Sequence, residues 1–481
     1  MVPLTQVCRR WRQSLTSIPE NWTVISNENL ILAAVSLRLA KAAPLEITIF
    51  MPPPTVPFRF SRIFEPYVQN TRNLVVCHLS TIQQFTERFP NFPQSMPRLQ
   101  SLELNSAGGD PFDEDWSINP LGAFTFPLRS LSLSEIPLYP SLLGITTLTV
   151  LTLRYSELPL SLDSFLDFLE GNHSLKIADL ELAFAEPPPR NPQRQIQNQL
   201  QCLTIQCGEP GDAQALVASI PLRRGAHLNI HILDSIAGVN VILPNLPAAH
   251  LSNPPSPTFF QFQRHDRGTN TILLCGPGGE LSFEKYTHPG DPFPDFHRLP
   301  LANVREFHFS YYRNTVESTI PNLLVFHPPL FPSLEALAIK YTSDVRQVLS
   351  TLLSNPTSSP LLKILAFLNC KLPEELMKEL TKFASERKKT LTSTWLYRVL
   401  IVRHDSKFPS ADSITELRKY VKVVDVWMGN ELPKDLTRWV HHPDSIPSCE
   451  LTQILSNGLG IHVAGAVCDR PCAPNAVSFP L

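Results

Sequence analysis

The sequence predicts an α/β fold in which short parallel strands stack side by side and helices return along one side of the sheet. A six-residue apolar pattern recurs through the middle of the chain, and the segments between its copies carry helical apolar spacing. Proline is abundant, with 47 prolines among 481 residues. That is about twice the usual share of roughly 5% and favours many short elements over long helices.

The chain opens with an amphipathic segment. Its apolar residues recur at helical spacing, with arginines on the opposite side: Leu4, Val7, Cys8, Trp11 and Leu15. Pro19 cannot continue a helix, so we expect this helix to end near Ser17 and Trp22 to fold back beside it. A single short helix with an apolar stripe is only marginally stable alone, so the stripe must meet the rest of the chain or a partner.

A second helix and a strand follow. Asn27 is the predicted helix cap, and the predicted apolar side of the helix consists of Leu30, Ala33, Ala34 and Leu37. After Pro44, apolar and polar residues alternate along LEITIF, which is the two-residue period of a half-buried strand. Helix and strand therefore alternate from the start of the chain.

The recurring pattern is LxxLxL, and it occurs in eight hexamers. They are LQSLEL, LRSLSL, LTVLTL, IADLEL, LQCLTI, VREFHF, LEALAI and LKILAF, and they begin at Leu99, Leu128, Leu148, Ile177, Leu200, Val304, Leu334 and Leu362. Most are about 20 to 30 residues apart, the period of leucine-rich repeats. We therefore predict a leucine-rich-repeat-like solenoid, with a curved parallel sheet and helices on its convex side. Predicted return elements are LLGIT, LDSFLDFLEGN, AQALVASI and DVRQVLSTLLSN.

The pattern weakens between residues 206 and 303, where we predict strands only at HLNIHI and TILLCG. A Pro-rich insertion is expected at about 240–265. GPGGE at 276–280 is interpreted as a turn, because it lacks the lysine and hydroxyl of a phosphate loop. Farther on, LPEELMKELTKFASERKK predicts a helix and YVKVVDVWM a last strand. The cluster of Arg387, Lys388 and Lys389 is interpreted as the solvated end of that helix, not a nucleic-acid patch.

Composition and motifs narrow the function. The chain has 41 basic and 43 acidic side chains, so no global field draws it to nucleic acid or to a membrane. The nine cysteines lack metal-ligand spacing, which predicts reduced thiols, no metal site and no cofactor. No catalytic motif is complete, so we expect no enzymatic activity. Without a signal peptide or spanning segment, an intracellular location in cytoplasm or nucleus is expected.

The opening block VCRRWR with its following P-x-x-W, the junction AKAAPLEI and the LxxLxL repeats together resemble a known family. Residues 4–440 are similar to fungal, basidiomycete-type F-box proteins with divergent leucine-rich repeats. The resemblance implies that helices at the start dock on the Skp-type adaptor of an SCF ubiquitin ligase, while the repeats recruit a protein target. It assigns F-box packing or adaptor contact to Leu4, Val7, Cys8, Trp11, Leu15 and Trp22. The family's Leu-Pro-x-Glu segment does not precede Leu4, so we expect an N-terminally truncated F-box and weak adaptor binding.

These observations predict four regions of the chain. Residues 1–26 form partial F-box helices, and residues 27–94 form a helix-strand junction with the first irregular repeats. Residues 95–440 form the leucine-rich-repeat-like domain. Residues 441–481 are expected to be a disordered tail.

The predicted function is protein–protein recognition as a substrate receptor, and the alternative is a free-standing repeat scaffold without a ubiquitin-ligase role. Side chains between the leucines should line the concave face of the sheet. The candidate partner-binding residues there are Glu103, Asn105, Thr152, Arg154, Asp179, Glu181, Gln206, Glu306, His308 and Lys340. The last unit instead presents Ile364, Ala366 and Leu368, which predicts either an end capped by the C-terminal helix or an apolar contact patch.

Overall fold

The computed structural model describes residues 9–428 with gaps. The gaps are 54–57, 81, 93, 107–126, 139, 159–160, 185–194, 198, 208–209, 221, 223–225, 233–258, 265–268, 277–278, 287–298, 300, 312–330, 341–344, 355–358, 392–394 and 404–408. The predicted tail at 441–481 and most of the predicted insertion at 240–265 therefore lie outside the described residues.

The described strands form one 17-stranded sheet. They are β1 Val24–Ser26, β2 Leu45–Phe50, β3 Thr71–Leu79, β4 Ser101–Ser106, β5 Ser130–Ser134, β6 Val150–Leu158, β7 Ile177–Phe184, β8 Cys202–Cys207, β9 Ala226–Ile232, β10 Phe259–Arg264, β11 Thr269–Gly276, β12 Gly279–Tyr286, β13 Glu306–Tyr311, β14 Ala336–Lys340, β15 Ile364–Leu368, β16 Arg398–Arg403 and β17 Val423–Met428.

Helices connect many of these strands. They are α1 Arg9–Thr16, α2 Leu30–Ala40, α3 Phe60–Phe64, α4 Ile82–Arg88, α5 Leu162–Gly171, α6 Pro210–Ser219, α7 Val345–Ser354, α8 Glu374–Thr390 and α9 Ala411–Arg418. Short 3₁₀ helices occupy Pro19–Trp22, Glu65–Asn70, Pro140–Gly144 and Leu301–Asn303. The predicted return elements at 142–146, 162–172, 213–220 and 344–355 all coincide with helical segments.

Most neighbouring strands pair in parallel in chain order. From β1 to β9 each strand pairs with the next, and from β13 to β17 the same holds. Between these halves β9 pairs with β12, and β10 pairs with β13, both in parallel. Strand β11 lies between β10 and β12 and is antiparallel to both. The fold is thus a mixed α/β fold with a large, mainly parallel sheet.

The repeated leucines align across this sheet. Leu102 pairs with Leu131 and Leu131 with Leu151, and all three side chains are fully buried. Because side chains alternate along a strand, each repeat sends its leucines to one face, where helices cover them. One apolar cluster runs along this core face from Trp22 to Val424. The sequence pattern therefore specifies which face of the sheet becomes the core.

One repeat unit differs from its predicted register. The unit predicted at Ile177, Leu180 and Leu182 instead buries Leu175, Ala178 and Leu180 in the core. Ile177 pairs with Val150 in β6, while Ala178 pairs with the buried Leu151. Leu180 belongs to both the predicted and the observed set of buried residues. Ala178 occupies a buried position at which most other repeats have a leucine. Interstrand register, not residue type, decides between them.

The region between residues 206 and 303 holds two strands that the sequence analysis missed. HLNIHI and TILLCG form β9 and β11 as predicted, but β10 lies inside the predicted insertion and β12 begins at Gly279, within GPGGE. In that turn Gly276 pairs with Gly279 across the antiparallel strands. The alternating FFQFQR and LSFEKY were the available signals, since both have a two-residue period.

Two details near the helix ends correct the sequence predictions. Asn29, not Asn27, caps α2, because its side chain accepts a hydrogen bond from the Leu32 amide at 3.0 Å. Asn27 instead exchanges two hydrogen bonds with the backbone of Phe50, at 2.8 and 2.7 Å, and so ties the chain before α2 to the end of β2.

The basic end of α8 is not uniformly solvated. Lys388 and Lys389 are exposed as predicted, but Arg387 is fully buried. Its guanidinium donates hydrogen bonds to the carbonyls of Ser359 at 3.1 Å, Pro360 at 3.3 Å and Leu362 at 3.0 Å. Burial lowers the Arg387 pKa to about 10. Arg387 therefore fastens α8 to the segment that enters β15.

Candidate protein-interaction surfaces

The sheet face opposite the leucine core, here called the non-core face, carries the predicted binding residues. Interstrand register arranges them in transverse rows. The middle row contains Glu103, Ser132, Thr152, Asp179 and Thr204. Asn105, Ser134 and Arg154 align in the next row, where Glu181 also pairs with Gln206. The structure thus places these predicted residues on one face, and their role in binding stays a prediction.

Strands β4 to β9 form a polar half of the non-core face. Arg154 Nη2 lies 3.3 Å from Asp179 Oδ2, and Gln206 Nε2 donates a 2.9 Å hydrogen bond to Glu181 Oε1. Asn105 donates a similar bond to Glu103 at 2.9 Å. These neighbours hold each other's side chains in place, while more than half of the Arg154 side chain stays exposed. The polar half therefore offers ordered acceptors with one prominent cation among them.

The centre of the face carries a buried polar cluster on β13 and β14. His308 Nε2 lies 2.8 Å from Glu306 Oε1, and the Phe259 ring meets the His308 ring edge-on at 4.9 Å between centroids. Lys340 is only 4% exposed. Burial lowers the Lys340 pKa to about 8, although the negative charge of Glu306 opposes that shift. This cluster contains three of the predicted binding residues.

Strands β14 to β17 form an apolar half of the same face. A buried cluster separate from the core consists of Ala336, Ala338, Ala366, Leu368, Leu400 and Val402, with Ile364 and Trp427 packed against it. Of the two alternatives predicted for this end, a cap formed by helix α8 is not seen among the described residues. Helix α8 buries Leu376, Leu380 and Phe383 in the main core cluster, on the other face of the sheet. Arg398 and Asp425 border the apolar half with a 2.6 Å ion pair.

The residues that the family resemblance assigns to an F-box are described only in part. Leu4, Val7 and Cys8 lie outside the described residues, as does the side chain of Trp11 within α1. Trp22 is buried and donates a hydrogen bond from Nε1 to the Leu15 carbonyl at 2.9 Å. The chain after α1 therefore folds back as predicted, and Leu15 and Trp22 come together.

A second surface, on α2, was not predicted. Ile31 is 81% exposed and Val35 is also exposed, although both are large apolar side chains. Together with Leu39 and Ile63 they line an open groove of about 590 Å³. Arg38 also lines this groove and gives it a positive charge. Nearby Val24, on the edge strand β1, is 72% exposed. The available signal was LILAAVSL, which is apolar on every side and not on one stripe, a pattern typical of a helix with partners all round.

Possible metal ligands, cysteines and apolar helices bear on other kinds of site. Among the described residues, no group of three His, Cys, Asp or Glu side chains could hold a metal ion. The described cysteines Cys77, Cys202, Cys207, Cys275 and Cys370 are free thiols. Within the same part of the chain, no helix has the length and apolar character needed to cross a membrane.

Comparisons with known proteins add little. No protein-family model matches the chain, and no curated protein matches it either. A leucine-rich-repeat protein of Leptospira interrogans is similar in structure over 86% of this chain and 94% of its own, at 11% identity and a TM-score of 0.21. A likeness at this TM-score does not identify the fold, which the strand pairing defines.

Proposed function

We propose that this chain is a protein-recognition module, built as a leucine-rich-repeat-like solenoid whose non-core face is concave and binds a protein target. One observation carries the proposal. Side chains from β4 to β9 stand in register across neighbouring strands, and their polar groups hold one another, while Arg154 and Asp179 remain accessible. A stack of repeats offers such an extended surface because each repeat adds one strand's width to it.

Charge on the polar half would set the choice of partner. Arg154 stands beside the acidic residues Asp179 and Glu181, so a complementary target presents an acidic group to Arg154 and basic or amide groups to its neighbours. Charge complementarity discriminates between partners more than it adds affinity. We therefore assign specificity to Arg154 and its acidic neighbours.

We further propose that the target is brought to an SCF ubiquitin ligase, with residues before α3 contacting a Skp-type adaptor. The support is the family resemblance of VCRRWR, P-x-x-W and the repeats, together with the apolar groove on α2 that lies next to this segment. Large exposed apolar patches mark interaction sites. Such a receptor works in the cytoplasm or nucleus. The second candidate is a scaffold that uses the non-core face without ubiquitination.

The test of target recognition uses proximity labelling with the full chain to identify a target, followed by matched charge reversals. Arg154→Glu places a fourth acidic group within the cluster of Glu103, Asp179 and Glu181, and we expect loss of the target. Lys378→Glu on the exposed side of α8 makes the same charge change away from the non-core face.

The expected result is loss of the target with Arg154→Glu and its retention with Lys378→Glu. Loss of the target in the Lys378→Glu variant alone would show that the partner binds the helical side, and the proposed binding face would then be wrong.

A further inference from the structure

The parallel strands from β3 to β8 all begin at one rim of the sheet, here called the strand-entry rim. A row of residues follows this rim: Arg72, Gln100, Arg129, Thr149, Lys176 and Gln201. From Gln100 onward, each backbone amide donates a hydrogen bond of 2.7 to 2.9 Å to the carbonyl of the preceding residue in the row. The backbone therefore places one side chain per strand along the rim in a fixed order.

This row carries a cation on every second strand and contains no carboxylate. Arg129 and Lys176 are exposed, and within the described part of the chain neither side chain has a hydrogen bond or an ion pair. Arg72 donates a hydrogen bond from Nε to Gln100 Oε1 at 3.0 Å, which holds its side chain along the rim. The positive charge of Arg129 and Lys176 is therefore open to an external anion.

The same rim differs in the other half of the sheet, from β13 to β17. The equivalent row there is Arg305, Glu335, Lys363, Tyr397 and Lys422. Glu335 lies 3.8 Å from Arg305 Nε and 3.2 Å from Lys363 Nζ, and Lys422 Nζ lies 5.1 Å from the centre of the Tyr397 ring. The cations of this half have partners within the row, and those at Arg129 and Lys176 do not.

Spacing along the rim specifies the form of the anion. Neighbouring strands lie about 4.8 Å apart, so cations on every second strand are roughly 9.6 Å apart. A polyproline II segment has three residues per turn and a rise of about 3.1 Å, so every third side chain points the same way at intervals of about 9.3 Å. A β-strand repeats its direction at about 6.8 Å, and an α-helix after seven residues, at about 10.5 Å. The polyproline II segment fits best.

We propose that the strand-entry rim from β3 to β7 binds an acidic segment of a partner protein, in a polyproline II conformation with a carboxylate at every third residue. Arg129 and Lys176 bind two successive carboxylates, and Arg72 binds a third. The chain as a whole has 41 basic and 43 acidic side chains, whereas domains that bind nucleic acid are typically basic, which favours an acidic protein segment. This surface is additional to the non-core face and independent of the role proposed for Arg154.

The test measures binding of two labelled peptides to the full chain by fluorescence anisotropy at low ionic strength. The periodic peptide has four Glu-Pro-Pro repeats, and its isomer has two Glu-Glu-Pro-Pro-Pro-Pro repeats, with the same composition and charge. Carboxylates on one side of the isomer lie six residues apart and meet only every second cation. We expect the periodic peptide to bind roughly fivefold more tightly, because exposed ion pairs are individually weak, and the preference to shrink as salt is added.

Two double variants with the same change of charge are compared. Arg129→Gln with Lys176→Gln should remove the preference for the periodic peptide. Lys363→Gln with Lys422→Gln is the matched control, because it removes two exposed cations from the same rim in the other half of the sheet, and it should keep the preference. Far-ultraviolet circular dichroism of each variant establishes that the chain is folded before binding is compared.

Each outcome decides the inference. Loss of the preference in the Arg129 and Lys176 variant alone supports the rim as the binding surface. Equal binding of the two peptides, binding of neither, or the same result in both double variants overturns it. Tighter binding of a twelve-nucleotide oligothymidylate than of the periodic peptide also overturns it, because the rim would then be a nucleic-acid surface.

Discussion

Individual residues show where sequence reasoning ends. The LxxLxL pattern correctly sends Lys340 to the non-core face, because alternation along a strand depends on local geometry alone. The pattern does not reveal that Lys340 is buried, since burial depends on Leu368 and other residues of neighbouring repeats. The burial of Arg387 was also not predictable from the sequence. Its position at a helix end predicts that it is solvated. In the structure it is buried and donates hydrogen bonds to three carbonyls of a segment remote in sequence.

Lys340 makes stability depend on pH in a definite direction. Its pKa falls from 10.5 in the unfolded chain to about 8 in the folded chain. Between these two values the unfolded chain binds more protons, so the free energy of unfolding rises with pH. Below pH 8 the full penalty applies, on the order of 3 kcal/mol. We expect Lys340→Met to raise stability at pH 7 by an amount of this order and to flatten the rise between pH 8 and 10.5.

Urea unfolding at pH 7 and at pH 10 measures both effects, with Lys363→Met as the exposed control that changes neither. A Lys340→Met variant less stable than the parent chain at pH 7 would contradict the prediction, because it would mean that the folded chain already satisfies the lysine.

Elements were predictable where they repeat. Strands β4 to β8 and β13 to β15 lie where the leucine pattern predicts them, β7 with a shifted register, and α5, α7 and α8 follow helical spacing. Strand β16 was missed although LYRVLI at 396–401 has the spacing of the eight hexamers, and Leu396, Val399 and Ile401 are buried like their anchors. Strands β10 and β12 were missed because they belong to a local reversal that no repeat period describes.

The prediction for a single element concerns helix α2. If an adaptor docks on its groove, Ile31→Asp should weaken co-purification with a Skp-type adaptor by tenfold or more, because an ion would be buried against apolar surface. Stability should change little, since Ile31 is 81% exposed in the free chain. Pull-down of the full chain with purified adaptor, together with thermal unfolding, measures both quantities.

Leu361→Asp is the control. Leu361 is another exposed aliphatic residue, and it lies far from α2 in the sequence, just before β15. Equal adaptor binding by parent, Ile31→Asp and Leu361→Asp chains would remove the groove from the adaptor site. No binding by the parent chain would favour the scaffold function without ubiquitination.

At the scale of the whole molecule, the sheet could be predicted but its middle could not. A repeated strand pattern predicts parallel neighbours, and the register confirms them on both sides of β10 to β12. Strand β10 returns to pair with β13, and β12 closes on β9. Such pairings join segments remote in sequence, so local patterns carry no information about them. The division of the non-core face into a polar and an apolar half likewise emerges only when the repeats are stacked.

The architecture predicts local, not global, responses to damage in the core. Each strand pairs with its immediate neighbours, so stability should be approximately a sum of repeat and nearest-neighbour contributions. Leu131→Ala in β5 and Leu365→Ala in β15 remove fully buried side chains, each at a cost of about 2 to 5 kcal/mol. That cost should fall on the mutated repeat and its neighbours, on one side of β10 to β12 in each variant.

Hydrogen exchange followed by mass spectrometry distinguishes a local from a global loss of stability, because exchange reports the local free energy of opening. Leu131→Ala should speed exchange in β4 to β6 and leave β14 to β16 at parental rates, while Leu365→Ala should do the reverse. Equal acceleration in both halves by either variant would show one cooperative unit. In that case the reversed strand β11 would couple the two halves, because β10 and β12 join it to the last parallel strand of one half and the first of the other.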